Sequence, residues 1–420
     1  MAVRTRDASV AGAPAVVGRP VAGGGLISRI TSSDSLIGRL ADLLTLLGIL
    51  LAPSYGLAIG GRLGFAFADL VLGLAAGARG LHLLMRGVPL AGIRRQSFLI
   101  GLLFVFSGSA VVSSVVNGQA IPLILITVVV ATLGSVLLVA TFGSGGGEER
   151  ERDLLRLVQV YAIGNIILAA SCYLGPVSRE GRAIGYAIHP NALGHSCVMG
   201  VAACVWLWDR ASTTRWRLIW AGGALLNVGA LMQSGSRGGV VGLGVGMIVY
   251  LCLRGNLRLR LAAIAGGWLI VLVLVAGVVQ LPAGNPIQRL FVGGANTEGS
   301  NEARRELLEE DIENIGEAPV FGKGYKTVVD VHNVYFQGWI GGGALDAFIL
   351  MIIGTTMLLL PLWQRPRDLA LACGATAIAI AWLFTNIMTA RDQWIFIALT
   401  FATARSPSVL KPRDEGATRA

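Results

Sequence analysis

The chain has 420 residues, 54% of them hydrophobic and only 14% charged, with a formal net charge of +10 and a mean hydropathy of +0.69. Soluble domains carry about 25% charged residues. This composition therefore excludes an ordinary cytosolic enzyme, a disordered chain and a nucleic-acid binder, and leaves an all-α, polytopic transmembrane helical bundle.

Residues 1–35 are rich in Gly, Ala, Pro, Ser and Arg without periodicity, which predicts a disordered basic N-terminal tail. No short apolar core with a small-residue cleavage site is present, so a cleaved signal peptide is not expected. Apolar runs near 36–52, 63–78, 97–117, 120–142, 154–175, 191–208, 216–233, 238–253 and 261–281 predict nine spans over 36–281. A hydrophilic stretch, 282–332, follows. Runs at 334–360, 369–388 and 393–404 add spans ten to twelve over 333–404, and 405–420 reads as a cytoplasmic tail. Each crossing needs about 20 residues, so about twelve spans are expected, the last one short. No internal repeat of the transporter kind is evident.

Arginine placement sets the orientation. With the N-terminus inside, the short inner loops hold Arg79, Arg86, Arg94, Arg95, Arg150, Arg152, Arg210, Arg215, Arg217, Arg254, Arg258, Arg260, Arg365 and Arg367. The short outer loops hold only Arg179, Arg182, Arg237 and Arg391, with Arg62 at a span end. This asymmetry predicts a multi-pass protein of the cytoplasmic (inner) membrane with both termini cytoplasmic. The basic residues report topology and lipid contact before any acidic partner. Cys172, Cys197, Cys204, Cys252 and Cys373 all lie in apolar runs and read as small packing residues.

The segment 282–332 forms one long extracytoplasmic loop, and a connection of that length points to function. Within it Glu302–Glu317 has helical periodicity. Leu308, Ile312 and Ile315 share one face, and Glu306, Glu309, Glu310, Asp311 and Glu313 cover the other. Such a helix can lie over the bundle or act as a lid.

Three polar clusters fall on the predicted outer side. In Arg179–His195, Pro190 and Asn191 open a helix, Arg182 is a guanidinium where positive charge is sparse, and His189 stands at the helix start. His195 reads as a hydrogen-bonded interior residue. In Gln233–Gly239 (QSGSRGG), Arg237 begins a helix, with Ser236 before it and Gly238, Gly242 and Gly246 after it at the spacing of close helix contacts. A helix start beside a guanidinium suits an anion. In Asp330–Gln337 (DVHNVYFQ), His332 is the titratable base of the outer loop, and Asp330 or Asn333 can fix its tautomer. Two arginines and a histidine, with no acidic pair at metal spacing, point to an anionic, phosphorylated substrate handled without a metal ion or other cofactor.

Four separated motifs give the chain a family likeness. They are RAIGYAIHPNALG from Arg182, SGSRGG from Ser234, RRELLEEDIENIGEAPVFGKGY from Arg304, and HNVYFQ from His332. In order, spacing and predicted side they resemble the O-antigen ligase and O-antigen polymerase (Wzy) superfamily, which includes bacterial O-oligosaccharyltransferases. Where that family has Glu and then Gly after the last motif, this chain has Gly341, Gly342 and Gly343. The resemblance implies a GT-C-like membrane glycosyltransferase. Its donor would be a glycan on undecaprenyl diphosphate, and its acceptor a hydroxyl on a glycan, lipid or protein. It also implies His332 as catalytic base. Arg182, Arg237, His189, Asn191, Ser236, Arg304 and Asn333 would lie around the substrate, Arg304 either touching donor or pairing with loop acids. A polymerase using a second lipid-linked repeat as acceptor is the nearest alternative. A polysaccharide or lipid transporter is a further one, for which only Asp69 and Asp346 stand well inside spans.

Overall fold

The computed structural model describes residues 35–54, 56, 66–86, 90–119, 123–142, 147–178, 181–254, 295–325, 331–385 and 388–404. The expected tails, the 261–281 span, Arg62, Arg179 and Asp330 lie outside these residues. The described residues fold as α1 (Leu36–Leu51), α2 (Phe67–Arg86), α3 (Leu90–Val116), α4 (Leu123–Val129) running through a π-helical turn into α5 (Ser135–Phe142), α6 (Gly147–Ser171), α7 (Pro190–Arg210), α8 (Thr214–Ser234), α9 (Arg237–Arg254), α10 (Ala295–Glu317), α11 (Val334–Gly342), α12 (Ala344–Trp363), α13 (Leu369–Ala381) and α14 (Arg391–Thr403). β pairing among the described residues amounts to an isolated bridge between Val177 and Ala183. The protein is an all-α polytopic bundle. Among the described residues, nine helices are long and apolar enough to cross a membrane.

Cap chemistry sets where these helices begin and end. Ser35 Oγ accepts the Gly38 N–H at α1, and Thr213 does the same for Trp216 at α8. Helix α8 ends at Gly235, whose φ of +63° a side chain would disfavour. The short α14 is buried from Arg391 through Ala402. Neighbouring helices cover it, so it need not match the lipid thickness. Of the cysteines, Cys252 is exposed and the other four are buried.

The apolar run 334–360 is not one span. It divides at Gly343, with φ +82°, into α11 and α12. A Cβ on Gly338 would run into Leu350, and one on Gly354 into the Tyr335 hydroxyl. Residues near the turn thus pair with residues near the turn, and distant with distant, so α11 lies antiparallel beside α12. Helix α12 has 20 residues and can cross alone. Nine-residue α11 climbs back along it for about 13 Å at 1.5 Å per residue. Hydropathy could not show this, because α11 is as apolar as a span and the break is a backbone conformation.

Helix ends gather in two sets. At one, Arg210 meets Asp368 at 2.5 Å, Arg254 meets Asp209, Arg367 meets Glu151 at 3.2 Å, and Arg150 bonds the Ala402 carbonyl. We call this the basic end. At the other, Gly56 N–H donates to Tyr186 O at 2.7 Å, Arg391 pairs with Asp69 in full burial, and Asn117 Nδ2 donates to Gly322 O at 3.0 Å. Buried acids exceed the two expected. Asp42 pairs with Arg79 at 2.5 Å, and Asp392 accepts from Ser196 Oγ at 2.5 Å. Asp69 and Asp346 are likewise bonded inside the protein.

Candidate active site

Arg182 is placed by a tight hairpin between α6 and α7. Ser178 N–H donates to Arg182 O at 2.7 Å, Gly181 N–H to Ser178 O at 2.9 Å, and Gly181 takes a φ of +72°. Ala183 N–H then bonds Gln233 O at 3.0 Å, tying the hairpin to the end of α8. The Arg182 side chain is buried. Its Nε donates to Ser234 O at 2.8 Å and its Nη2 to Asn191 Oδ1 at 2.6 Å. Asn191 stands in the first turn of α7, after Pro190. The structure therefore joins Arg182 to Asn191 directly. Exposed His189 is the N-cap of α7, and its Nδ1 accepts the Asn191 N–H at 3.1 Å. Its ring holds the helix start that presents Asn191.

The second cluster abuts the first. Ser236 Oγ accepts the Gly239 N–H at 3.2 Å, making Ser236 the cap of α9. A Cβ on Gly194 of α7 would collide with Ser236, so α7 and the α9 start touch through a glycine. Half-buried Arg237 is the first residue of α9. Further down α9, a Cβ on Gly242 would fall 2.7 Å from Ala377 O and one on Gly246 2.8 Å from Cys373 O. These glycines let α9 and α13 meet backbone to backbone.

The third cluster reaches the same place. Asn333 caps α11, its Oδ1 accepting from Tyr335 N at 2.9 Å and Phe336 N at 3.2 Å. Its Nδ2 donates to Leu383 O at 3.4 Å. The next residue, Phe384, lies against the first turn of α9, 3.6 Å from where a Cβ on Gly238 would stand. Half-buried His332, just before Asn333, is thereby brought to the Arg237 end of α9. Because α11 climbs from this point, His332 lies at the foot of the α11–α12 hairpin and not at its tip. Arg304 lies within α10, with its side chain outside the described set. Among the described residues, no group of three or more His, Cys, Asp or Glu side chains is placed to hold a metal ion.

The loop is fastened to the hairpin tip. Trp339 Nε1 donates to Pro319 O at 2.9 Å, Lys323 N–H to Ile340 O at 2.6 Å, and Gly324 N–H to Gly341 O at 3.1 Å. Ser113 Oγ bonds Gly341 O at 2.7 Å. A Cβ on Gly341 would meet the Tyr325 ring at 2.8 Å, and one on Gly342 would overlap Asp346. The departure from the family pattern at Gly341–Gly343 thus has a packing reason. Tyr325 donates to Asp346 Oδ2 at 2.7 Å. Burial first, and the nearby carboxyl second, hold its phenol well above the usual range. Helix α10 buries a different face from the one its apolar residues suggest. Asp311 is buried, whereas Leu308 and Ile312 are exposed. Burial, then neighbouring Glu310, raises the Asp311 carboxyl to about 6.

Sequence reading missed the Asp69–Arg391 pair, the Ser196–Asp392 bond and the state of His195. A usable signal existed for the first, since Arg391 falls on the predicted outer side and Asp69 in the outer half of its span. His195 was expected to be hydrogen-bonded, yet among the described residues neither ring nitrogen has a partner.

Residues 222–348, which carry Arg237, Arg304 and His332, match the O-antigen ligase family. The match bears out the resemblance to the O-antigen ligase and polymerase superfamily and supports an O-antigen ligase/polymerase-like membrane enzyme. Arg182, His189 and Asn191 precede the matched segment and are joined to it by the contacts above. No curated protein matches the chain.

Proposed function

We propose that the protein is a glycosyltransferase that moves a glycan from undecaprenyl diphosphate to an acceptor hydroxyl. The reaction takes place at the end of the bundle holding Arg182, Arg237 and His332. We assign that end to the outer face of the cytoplasmic membrane and the basic end, with both termini, to the cytoplasm. The arginine-rich short loops support this orientation. The observation that carries the reading is convergence. Arg182 and His332 are 150 positions apart in sequence, yet a chain of contacts through Ser234, Ser236, Gly238 and Leu383–Phe384 brings them to one end of the bundle.

Arg182 and Arg237 hold the donor diphosphate. Negative charge on the diphosphate grows as its bond to the anomeric carbon breaks. Fixed guanidinium donors therefore stabilise the transition state more than the ground state. Asn191 orients Arg182, and Ser236 and Asn333 fix the helix starts. His332 takes the acceptor hydroxyl proton while that oxygen attacks the anomeric carbon. The C–O bond to phosphate breaks and undecaprenyl diphosphate leaves. This displacement inverts the anomeric configuration. The loop helix α10 excludes water.

His332→Ala, Arg182→Ala and Arg237→Ala, in membranes that retain the protein, test the assignment. Transfer at the unmodified rate in any one removes that residue from the mechanism. Activity that persists in EDTA is expected, since no step is routed through a metal ion. A polymerase would use the same site with a lipid-linked repeat as acceptor. A null strain that accumulates full-length lipid-linked polymer identifies a ligase, and one that accumulates single lipid-linked repeats identifies a polymerase.

A further inference from the structure

An apolar groove lies between α7, α9 and α13. Val198, Val205, Leu243, Met247 and Ala370 are among its lining residues, none of which is charged, and its volume is about 200 Å³. An apolar cavity of about 150 Å³ takes benzene, so this groove takes a stretch of hydrocarbon chain. Its floor forms where Gly246 of α9 faces Cys373 O of α13. Met247 at its edge is exposed, so the groove opens sideways into lipid.

The helices set its depth. On α9 the lining runs from Leu243 to Leu251, about 5–16 Å from Arg254 at about 1.5 Å per residue. On α13 it begins at Ala370, the second residue of that helix. One leaflet offers about 15 Å of hydrocarbon, half of about 30 Å. The groove thus lies chiefly in the leaflet at the basic end, where exposed Trp208, Trp216 and Trp363 mark the water interface.

The end of the groove toward that interface is basic. Tyr250 lines the groove, and its hydroxyl meets both Arg254 and Asp209. A guanidinium has five N–H donors, and partly exposed Arg254 engages Asp209 and Tyr250 through Nη1 alone. Around the ends of the three helices, Arg210, Arg215, Arg217, Arg254, Arg365 and Arg367 outnumber Asp209, Glu151 and Asp368 two to one. Surplus positive charge beside an apolar groove suits an anionic lipid.

We propose that this groove binds one anionic phospholipid of the leaflet at the basic end. An acyl chain fills the space between α7, α9 and α13, and the phosphate sits on Arg254. The site is separate from the donor site, which lies at the opposite end of α9.

The test uses the full chain, purified in detergent and freed of lipid. Dioleoyl phosphatidylglycerol is added, or zwitterionic phosphatidylcholine with the same chains. Native mass spectrometry reads affinity, and melting temperature reads the fold. One phosphatidylglycerol is expected to bind about tenfold more tightly than phosphatidylcholine and to raise the melting temperature. Val205→Trp, which fills the groove, is expected to abolish that binding. Asp209→Asn leaves Arg254 without its carboxylate and is expected to tighten phosphatidylglycerol binding. Asp209→Asn combined with Arg254→Gln removes both charges and is expected to weaken it about tenfold. A merely structural ion pair would lower the melting temperature in both without moving affinity in opposite directions. Equal affinity for the two phospholipids in the wild type, or wild-type affinity in Val205→Trp, overturns the proposal. If Val205→Trp does not fold, the two Asp209 variants decide, and equal affinity in them overturns it. Displacement of the phospholipid by undecaprenyl diphosphate would give the groove to the donor's own chain and overturn it as well.

Discussion

The two ends of the bundle use arginine differently. At the basic end Arg210, Arg254 and Arg367 each meet a carboxylate. These pairs cross-link helix ends from distant parts of the chain. At the site end Arg182 is oriented by a main-chain carbonyl and an asparagine oxygen. Neutral acceptors of this kind fix the direction of a guanidinium. The Asp69–Arg391 pair shows that the site end also uses the first mode where only fastening is required.

This contrast can be broken by substitution. The largest effect is expected at the site end. His332→Ala should slow transfer by about 10²–10⁴-fold with the fold intact, read as kcat in membranes matched for protein amount. If Arg182 and Arg237 act as bidentate forks, Arg237→Lys should lose activity while Arg254→Lys at the basic end does not. Next comes Asp69→Asn, which removes the charge paired with a buried guanidinium. It should destabilise by about 3–5 kcal/mol, seen as a lower melting temperature in detergent, with transfer per folded molecule preserved. Unchanged melting would show that the pair is not a fastener. Gly343→Ala is expected to cost about 1–3 kcal/mol, because its φ is +82° and its Cβ would strike Val320 O. Protease sensitivity at the loop should rise. The smallest effect is pH-dependent. Asp311 ionises at about 6 when folded against a reference of 3.8, so docking of α10 should weaken as pH rises from about 4 through 6. Hydrogen exchange in α10 should quicken over that window, and Asp311→Asn should flatten the response.

Much of the helical scaffold could be read from residue order. Pro190 and Asn191, Ser236, and Asn333 begin helices as their chemistry dictates. Apolar length revealed the bundle because the membrane imposes one-dimensional constraints. What depended on three-dimensional company stayed hidden. The turn at Gly343 lies inside the apolar run 334–360, where the isolated polar residues Gln337 and Asp346 do not mark a break. The buried face of α10 follows Leu307, Asp311 and Ile315, while Leu308 and Ile312 remain exposed, so tertiary docking outweighs the amphipathic pattern. Among the candidate site residues, Ser236, His189 and Asn333 are engaged in caps, a role that residue type suggests and that only geometry distinguishes from ligand contact.

The hairpin of α11 and α12 also acts as a measuring stick. It puts His332 one short helix below the tip where the loop is fastened, about 13 Å for nine residues. Under the proposed chemistry, an acceptor must carry its hydroxyl down that distance on something slender. A terminal sugar or a side chain on an extended strand can make the descent, whereas a folded surface cannot. Acceptor choice would then be a matter of reach before it is one of recognition.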